Sequence, residues 1–192
     1  MANKGKIIII SAPSGTGKST IINRIMGDPS LDLQFSISAT SRPPRAGEAH
    51  GVNYYFFTED DFRRAVAADL FVEWEEVYPG RFYGTLRSEI DRITSDGHNV
   101  IMDVDVKGGI NIRHMMGDAA LAIFVEPPTV DALRERLVAR ATDSPEQIDQ
   151  RVAKAEYEMG FAQQFDCVVI NDDLHVAVEE VRKLVKDFIN KA

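Results

Sequence analysis

Cysteine occurs once in this 192-residue chain, at Cys167, which excludes an intrachain disulfide framework. Its surroundings, Phe165-Asp166-Cys167-Val168-Val169-Ile170, predict a small buried side chain on a strand and no reactive thiol. Histidine is nearly as scarce. His50, His98, His114 and His175 share no ligand spacing, so no histidine metal site is expected. No apolar run approaches the roughly 20 residues of a membrane span. The short run after Lys6 reads as a strand, not a leader, and a cytoplasmic location without membrane contact is expected. An excess of positive charge is also missing. Lys and Arg number 22 against 30 Asp and Glu, a net charge of −8, which argues against general binding to nucleic acid polymers. A single cleft can still be basic on an acidic protein. Hydrophobic content of 44% and charged content of 27% are those of a globular domain of ordinary size.

What is present begins with Lys6-Ile7-Ile8-Ile9-Ile10, an apolar strand that feeds Ser11-Ala12-Pro13-Ser14-Gly15-Thr16-Gly17-Lys18-Ser19-Thr20. Strand, glycine-bearing loop and Lys-Ser at a helix start form a phosphate-binding loop, in that order. Gly15 and Gly17 let consecutive N–H groups turn inward, and the helix opening near Lys18 adds free N–H groups and a positive dipole end. Lys18 supplies a mobile charge for the β- and γ-phosphates, and the Ser19 hydroxyl is the expected Mg²⁺ ligand. Ala12 stands where the pattern has its first glycine, which is tolerable if φ there is negative.

Further along, short apolar runs alternate with helical patterns. Core strands are expected at Lys6–Ser11, Phe35–Ala39, Asn99–Val104, Leu121–Val125 and Cys167–Ile170. Thr129-Val130-Asp131 opens one helix. Ser144-Pro145-Glu146-Gln147 opens another with a capping box, and Asp172/Asp173 begin a last helix running to about Ile189. This β–α alternation predicts a parallel sheet covered on both faces. Residues 40–85 break the rhythm with many aromatics and a helix over Thr58–Ala68, and read as a small mixed insertion.

Several constellations bear on a second substrate. In Arg42-Pro43-Pro44-Arg45 the prolines favour an extended path with three residues per turn, which projects both arginines from one side towards a phosphate. In isolation the same four residues read as an exposed basic turn. Glu73, on a strand, is expected to face opposite to Val72 and Trp74. A carboxylate there can accept from both N1–H and N2 of guanine, and would be repelled by the N1 acceptor of adenine. The alternative is a solvent-facing strand residue. Asp103, at the end of a core strand, reads as a Mg²⁺ holder or as a helix cap. Arg136 and Arg140 share a helix face, and Arg151 follows on the next helix. Together they could close over a triphosphate as a lid, or separately be solvated surface residues.

These residues carry a likeness across nearly the whole chain. Ser11–Ser19, Ser38-Ala39-Thr40-Ser41-Arg42-Pro43-Pro44-Arg45-Ala46-Gly47-Glu48, Gly51-Val52-Asn53-Tyr54-Tyr55-Phe56, Glu73-Trp74, Tyr83-Gly84-Thr85, Asp103-Val104-Asp105, Arg136/Arg140, Arg151 and Asn171-Asp172 resemble the guanylate kinase family. The resemblance implies a three-layer α/β P-loop kinase fold with a central parallel sheet. It divides the chain into a core (1–37, 86–128, 165–192), a mixed GMP-binding region (38–85) and a helical lid (129–164). It implies ATP at Ala12, Pro13, Ser14, Gly15, Thr16, Gly17, Lys18, Ser19 and Thr20, with Asn171 near the adenine. It places the GMP phosphate on Arg42, Arg45, Tyr54 and Tyr83. Guanine falls to Ser38, Glu73 and Thr85 with one of the acids nearby, taken as Asp105, while Ser19 and Asp103 hold Mg²⁺. Lys18, Arg42, Arg136, Arg140 and Arg151 become the catalytic set. The chain departs from the family at Ala12, Lys107 and Ala141, and has one extra residue between Glu76 and Phe82.

A phosphate acceptor is already ionised near neutral pH, its second pKa being about 6, so no general base is needed. Positioning and charge neutralisation must carry the transfer. The expected reaction is ATP + GMP → ADP + GDP. Two rivals are a related module that binds peptides in place of nucleotides and a kinase for another small phosphorylated acceptor. Homo-oligomerisation is compatible with the sequence.

Overall fold

Four consecutive isoleucines near the start of the chain dictate a strand that must be buried on both faces, and Ile7–Ser11 (β1) is buried throughout. The structure, a computed structural model, describes residues 4–140 and 143–191. β1 lies in a five-stranded sheet with Leu33–Phe35 (β2), Asn99–Asp103 (β7), Ala120–Glu126 (β8) and Cys167–Ile170 (β9), in the order β2-β7-β1-β8-β9. β8 is parallel to both neighbours, with Ile7 opposite Ala120 and Ile123 opposite Cys167. By contact the chain forms two compact units. One holds the residues up to Lys6 with Gln34–Val100, the other Ile7–Leu33 with Ile101 onward.

The second unit carries most of that sheet and five helices: Lys18–Met26 (α1), Val106–Met116 (α4), Val130–Ala139 (α5), Pro145–Met159 (α6) and Leu174–Ile189 (α7). The apolar positions of α1 (Ile21, Ile22, Ile25) and α7 (Ala177, Val178, Val181, Val185) recur at helical spacing and pack on Ile8, Ile10, Ile123 and Val169. Cys167 is partly buried against this cluster. α5 and α6 share a smaller core of Leu133, Leu137, Ile148, Val152 and Ala155. Their starts follow the sequence: Thr129 caps α5, and Ser144 caps α6 with the full reciprocal box. Asp173 caps α7.

The first unit holds a four-stranded sheet of Tyr55–Phe56 (β4), Ala39–Thr40 (β3), Arg81–Leu86 (β6) and Phe71–Tyr78 (β5), in that order. Glu59–Ala67 (α2), capped by Thr58, presses Phe62 onto Phe71 and Phe82 at ring separations of 4.4 and 5.3 Å. Arg87–Ser95 (α3) follows β6 directly.

Two local expectations are corrected. The run Phe35–Ala39 is not one strand: β2 ends at Phe35 and β3 begins at Ala39, in different sheets. The interruption has partners of its own, since the Ile37 amide is donated to the Glu89 side chain. Nor does β5 alternate simply. Phe71 and Val72 are both buried while Trp74 is exposed. Phe71 pairs with Leu86 but Glu73 with Thr85, so Val72 is an extra residue in a β-bulge, and the alternation is lost there. The register slips again between Glu76 and Tyr78.

Candidate active site

The phosphate loop belongs to the second unit. Gly15 and Gly17 have φ of 99° and 90°, a region closed to most side chains. Both are also crowded. A Cβ on Gly15 would fall 2.9 Å from Leu133 and Leu137 of α5, and one on Gly17 would fall 2.7 Å from the Asn171 amide nitrogen. Ala12 is not among the residues with positive φ, so the missing first glycine leaves no strain. Thr16 closes the turn, its hydroxyl donating to the Pro13 carbonyl at 2.9 Å. The α1 N-terminus then begins at Lys18.

Around this loop lies a cavity of about 430 Å³. Residues 12–20 line it together with Asp103, Val104, Asp105, Arg140, Arg151, Lys154 and Glu158. Lys18 forms an ion pair with Asp103 and donates to the Val104 carbonyl at 3.3 Å. Asp105 caps α4, accepting from the Gly108 amide at 2.9 Å, so the helix-cap role weighed for Asp103 falls to its neighbour. Arg151 donates to the Ser14 hydroxyl at 2.9 Å and lies 3.2 Å from Asp143. Four cations thus face three carboxylates, and the free amides of the loop add to the positive side.

Two expected members stand off the cavity lining. Arg136 donates to the Asp172 carbonyl at 3.3 Å. Asn171 is buried behind the loop, its amide donating to the Thr16 carbonyl at 2.6 Å, while its own carbonyl oxygen is buried without a partner. Lys107 sits over the Tyr157 ring at 5.7 Å. Ala141 lies outside the described residues. Lys154 and Glu158 were missed by sequence reading. They follow Arg151 at i+3 and i+7, one stripe of α6, and that spacing was the available signal. Burial pushes the Glu158 carboxyl above its ordinary range, with Lys154 at 3.5 Å opposing the shift.

The acceptor candidates lie in the first unit. Arg42 is 7% exposed, and its two terminal nitrogens grip the Glu48 carboxylate at 2.9 Å each. Arg45 is exposed and bonds Glu48 through its backbone amide at 2.7 Å. Glu48 is held below the usual carboxylate range, chiefly by the Arg42 hydrogen bonds and then by the Arg45 amide. The Arg42 guanidinium also lies 5.5 Å from the Tyr54 ring centre and 5.8 Å from that of Phe56. Its Nε is buried and makes no hydrogen bond. Tyr54 and Tyr83 meet edge to face at 6.1 Å. The bulge at Val72 sets Glu73 directly opposite Thr85, whose hydroxyl donates to the Glu73 carboxylate at 2.8 Å. Ser38 immediately precedes β3 on the same sheet. The structure thus gathers Arg42, Glu48, Tyr54 and Tyr83 into one group, and Glu73 and Thr85 into another.

No helix among the described residues is long and apolar enough to cross a membrane. A guanylate kinase family model matches residues 4–188. The guanylate kinase of Porphyromonas gingivalis is 55% identical over 186 residues, covering 97% of this chain and 99% of that protein. That of Bacteroides fragilis is 53% identical over 186 residues, covering 97% and 91%. The solved guanylate kinase of Anaplasma phagocytophilum aligns with a TM-score of 0.76 at 25% identity, over 99% of this chain and 89% of that one. A shikimate kinase structure from Bacteroides thetaiotaomicron shares the fold alone, at 14% identity and a TM-score of 0.51 over 94% of this chain and 98% of that one. The phosphate loop, the Glu73–Thr85 pair and these full-length matches agree, and the chain belongs to the guanylate kinase family of phosphotransferases.

Proposed function

We propose that the chain transfers the γ-phosphoryl group of ATP to GMP, giving ADP and GDP. The observation that carries this reading is the Glu73 carboxylate, set by a bulge beside the Thr85 hydroxyl on the unit that also bears Arg42. One oxygen accepts from Thr85, and an ionised carboxylate is an acceptor-only group that matches the paired donors of guanine. Adenine offers an acceptor there and would leave the charge opposed.

Arg42 and Arg45 take the GMP phosphate, with Tyr54 and Tyr83 beside it and Ser38 near the base. The buried Arg42 Nε–H, which has no protein acceptor, is the donor a phosphate oxygen would satisfy. The Glu48 carboxylate raises the Arg42 pKa further, so the guanidinium stays charged throughout. On the donor side the loop from Ala12 to Thr20 cradles the ATP phosphates, the amides after Pro13 donating, and Lys18 exchanges Asp103 for their oxygens. Arg140 and Arg151 neutralise charge on the transferring group, Arg136 supports them, and Asn171 fixes the loop from behind near the adenine. No residue need remove a proton, because the acceptor oxygen is ionised.

Among the described residues no cluster of three or more His, Cys, Asp or Glu could hold a metal by itself. Ser19 and Asp103 nevertheless offer hard oxygens on the nucleotide cavity, which fits a Mg²⁺ that shares its coordination with phosphates and water. When bound with ATP it would supply charge neutralisation there.

The core, the GMP-binding region at 38–85 and the lid at 129–164 are the functional division we assign to the chain. ADP release measured with GMP, AMP, UMP and CMP as acceptors tests the whole reading. GMP is expected to be the preferred acceptor, and equal rates with AMP would overturn it.

A further inference from the structure

Two of the acceptor candidates, Ser38 and Tyr54, immediately precede very short strands. β3 and β4 have two residues each, and Ser38 lies just outside β3. Such segments hold their own geometry poorly, since few ladder hydrogen bonds fix them. A buried carboxylate on α3 supplies the missing restraint. The Glu89 side chain is 1% exposed and accepts four hydrogen bonds. The Ile37 amide donates at 3.2 Å, the Tyr55 hydroxyl at 2.9 Å, and Arg92 donates twice at 3.0 Å. All four belong to one unit.

The contacts close a ring around one residue. Glu89 holds the amide of Ile37, which precedes Ser38. It also holds the hydroxyl of Tyr55, whose backbone amide donates to the Ser38 carbonyl at 2.9 Å. Ser38 is therefore pinned on both sides by groups that end on the same carboxylate. Tyr54 is covalently joined to Tyr55, so its ring position depends on the same anchor. Burying a carboxylate is costly unless it is paired and fully hydrogen-bonded, and Arg92 reaches in from solvent to pair with it. Pure packing at this site would be met by an apolar side chain. The charge is retained where it can orient a backbone amide and a hydroxyl at once.

We propose that Glu89 is a positioning residue for the acceptor site, acting through Ile37 and Tyr55 to set Ser38 and Tyr54. The inference rests on the reading of this unit as the GMP side.

The test uses the full chain with two variants, Tyr55→Phe and Glu89→Gln, each measured for KM of GMP, KM of ATP and thermal unfolding. Tyr55→Phe removes one hydroxyl, and about a fivefold rise in KM for GMP is expected with KM for ATP changed less than about twofold. Glu89→Gln should raise KM for GMP by about tenfold or more with the same selectivity. An unchanged KM for GMP in Tyr55→Phe overturns the proposal. So does an equal rise in both KM values, the signature of a merely structural role. If Glu89→Gln does not fold, Tyr55→Phe decides alone. Failure of the underlying reading would appear separately, as wild-type protein that phosphorylates AMP as well as GMP.

Discussion

Arg42 and Glu48 form a two-pronged ion pair, each terminal nitrogen of the guanidinium meeting one carboxylate oxygen at 2.9 Å. Glu48 also accepts the Arg45 amide at 2.7 Å, so one carboxylate ties together both ends of Arg42-Pro43-Pro44-Arg45. Glu48→Gln keeps the shape and loses the charge. It should raise KM for GMP by roughly tenfold and leave KM for ATP unchanged, as read by steady-state kinetics with each substrate varied. Equal effects on both substrates would show that the pair serves the fold and not the phosphate.

Glu73 and Thr85 are cross-strand partners joined at 2.8 Å. Glu73→Gln turns an acceptor-only group into one that also presents donors. A loss of about 100-fold or more in kcat/KM for GMP is expected, because a polar site rejects a mismatched partner strongly. Calorimetric titration with GMP and with ATP checks that the loss is confined to GMP.

Lys18 pairs with Asp103 at the mouth of the phosphate loop. Lys18→Ala should lower kcat by at least about 1,000-fold, since charge on the transferring group carries the catalysis. Asp103 is partly exposed, so water can solvate it and the fold should persist. An unchanged circular dichroism spectrum together with lost turnover is the expected pair of results.

Asn171→Ala would leave the Thr16 carbonyl without its 2.6 Å donor in a buried place. A destabilisation of about 1–3 kcal/mol is expected from denaturant unfolding. KM for ATP should rise while KM for GMP holds, because Thr16 belongs to the donor loop.

Glu89 sets a pH dependence of stability. Burial alone would raise its carboxyl, but the Arg92 side chain, the Ile37 amide and the Tyr55 hydroxyl together bring it below the ordinary 4.5. A depressed folded-state value means its contribution is present above pH 4.5 and is lost as pH falls through the folded value. Wild type should therefore be more stable than Glu89→Gln at pH 7. The gap should narrow below pH 4.5, followed by thermal unfolding at each pH. A gap that is constant with pH would assign the effect to shape alone.

Much of the fold was legible because its signals are local. Ser144-Pro145-Glu146-Gln147 predicts a capped helix start, and the box is formed at Ser144 and Gln147. Strand β9 coincides with the expected Cys167–Ile170, and the helix foreseen over Thr58–Ala68 spans Glu59–Ala67. The failures share a cause. Whether Phe35–Ala39 is one strand depends on which sheets receive its ends, and no window of sequence contains those partners. The facing of Glu73 depends on a bulge, which is a mismatch between two strands and not a property of either.

The sequence by itself determined the phosphate loop, because Gly15, Gly17 and the Lys18-Ser19 helix start act within ten residues of one another. It also determined the parallel α/β core, through the continuous apolar runs that burial on both faces demands. Only the tertiary structure decided which partners the charged groups take. Arg42 turns to Glu48, Asp105 caps a helix while Asp103 holds Lys18, and Glu89 gathers Ile37, Tyr55 and Arg92. A charge or polar group removed from water must be met by partners at hydrogen-bond distance, and those partners come from segments that only folding brings together.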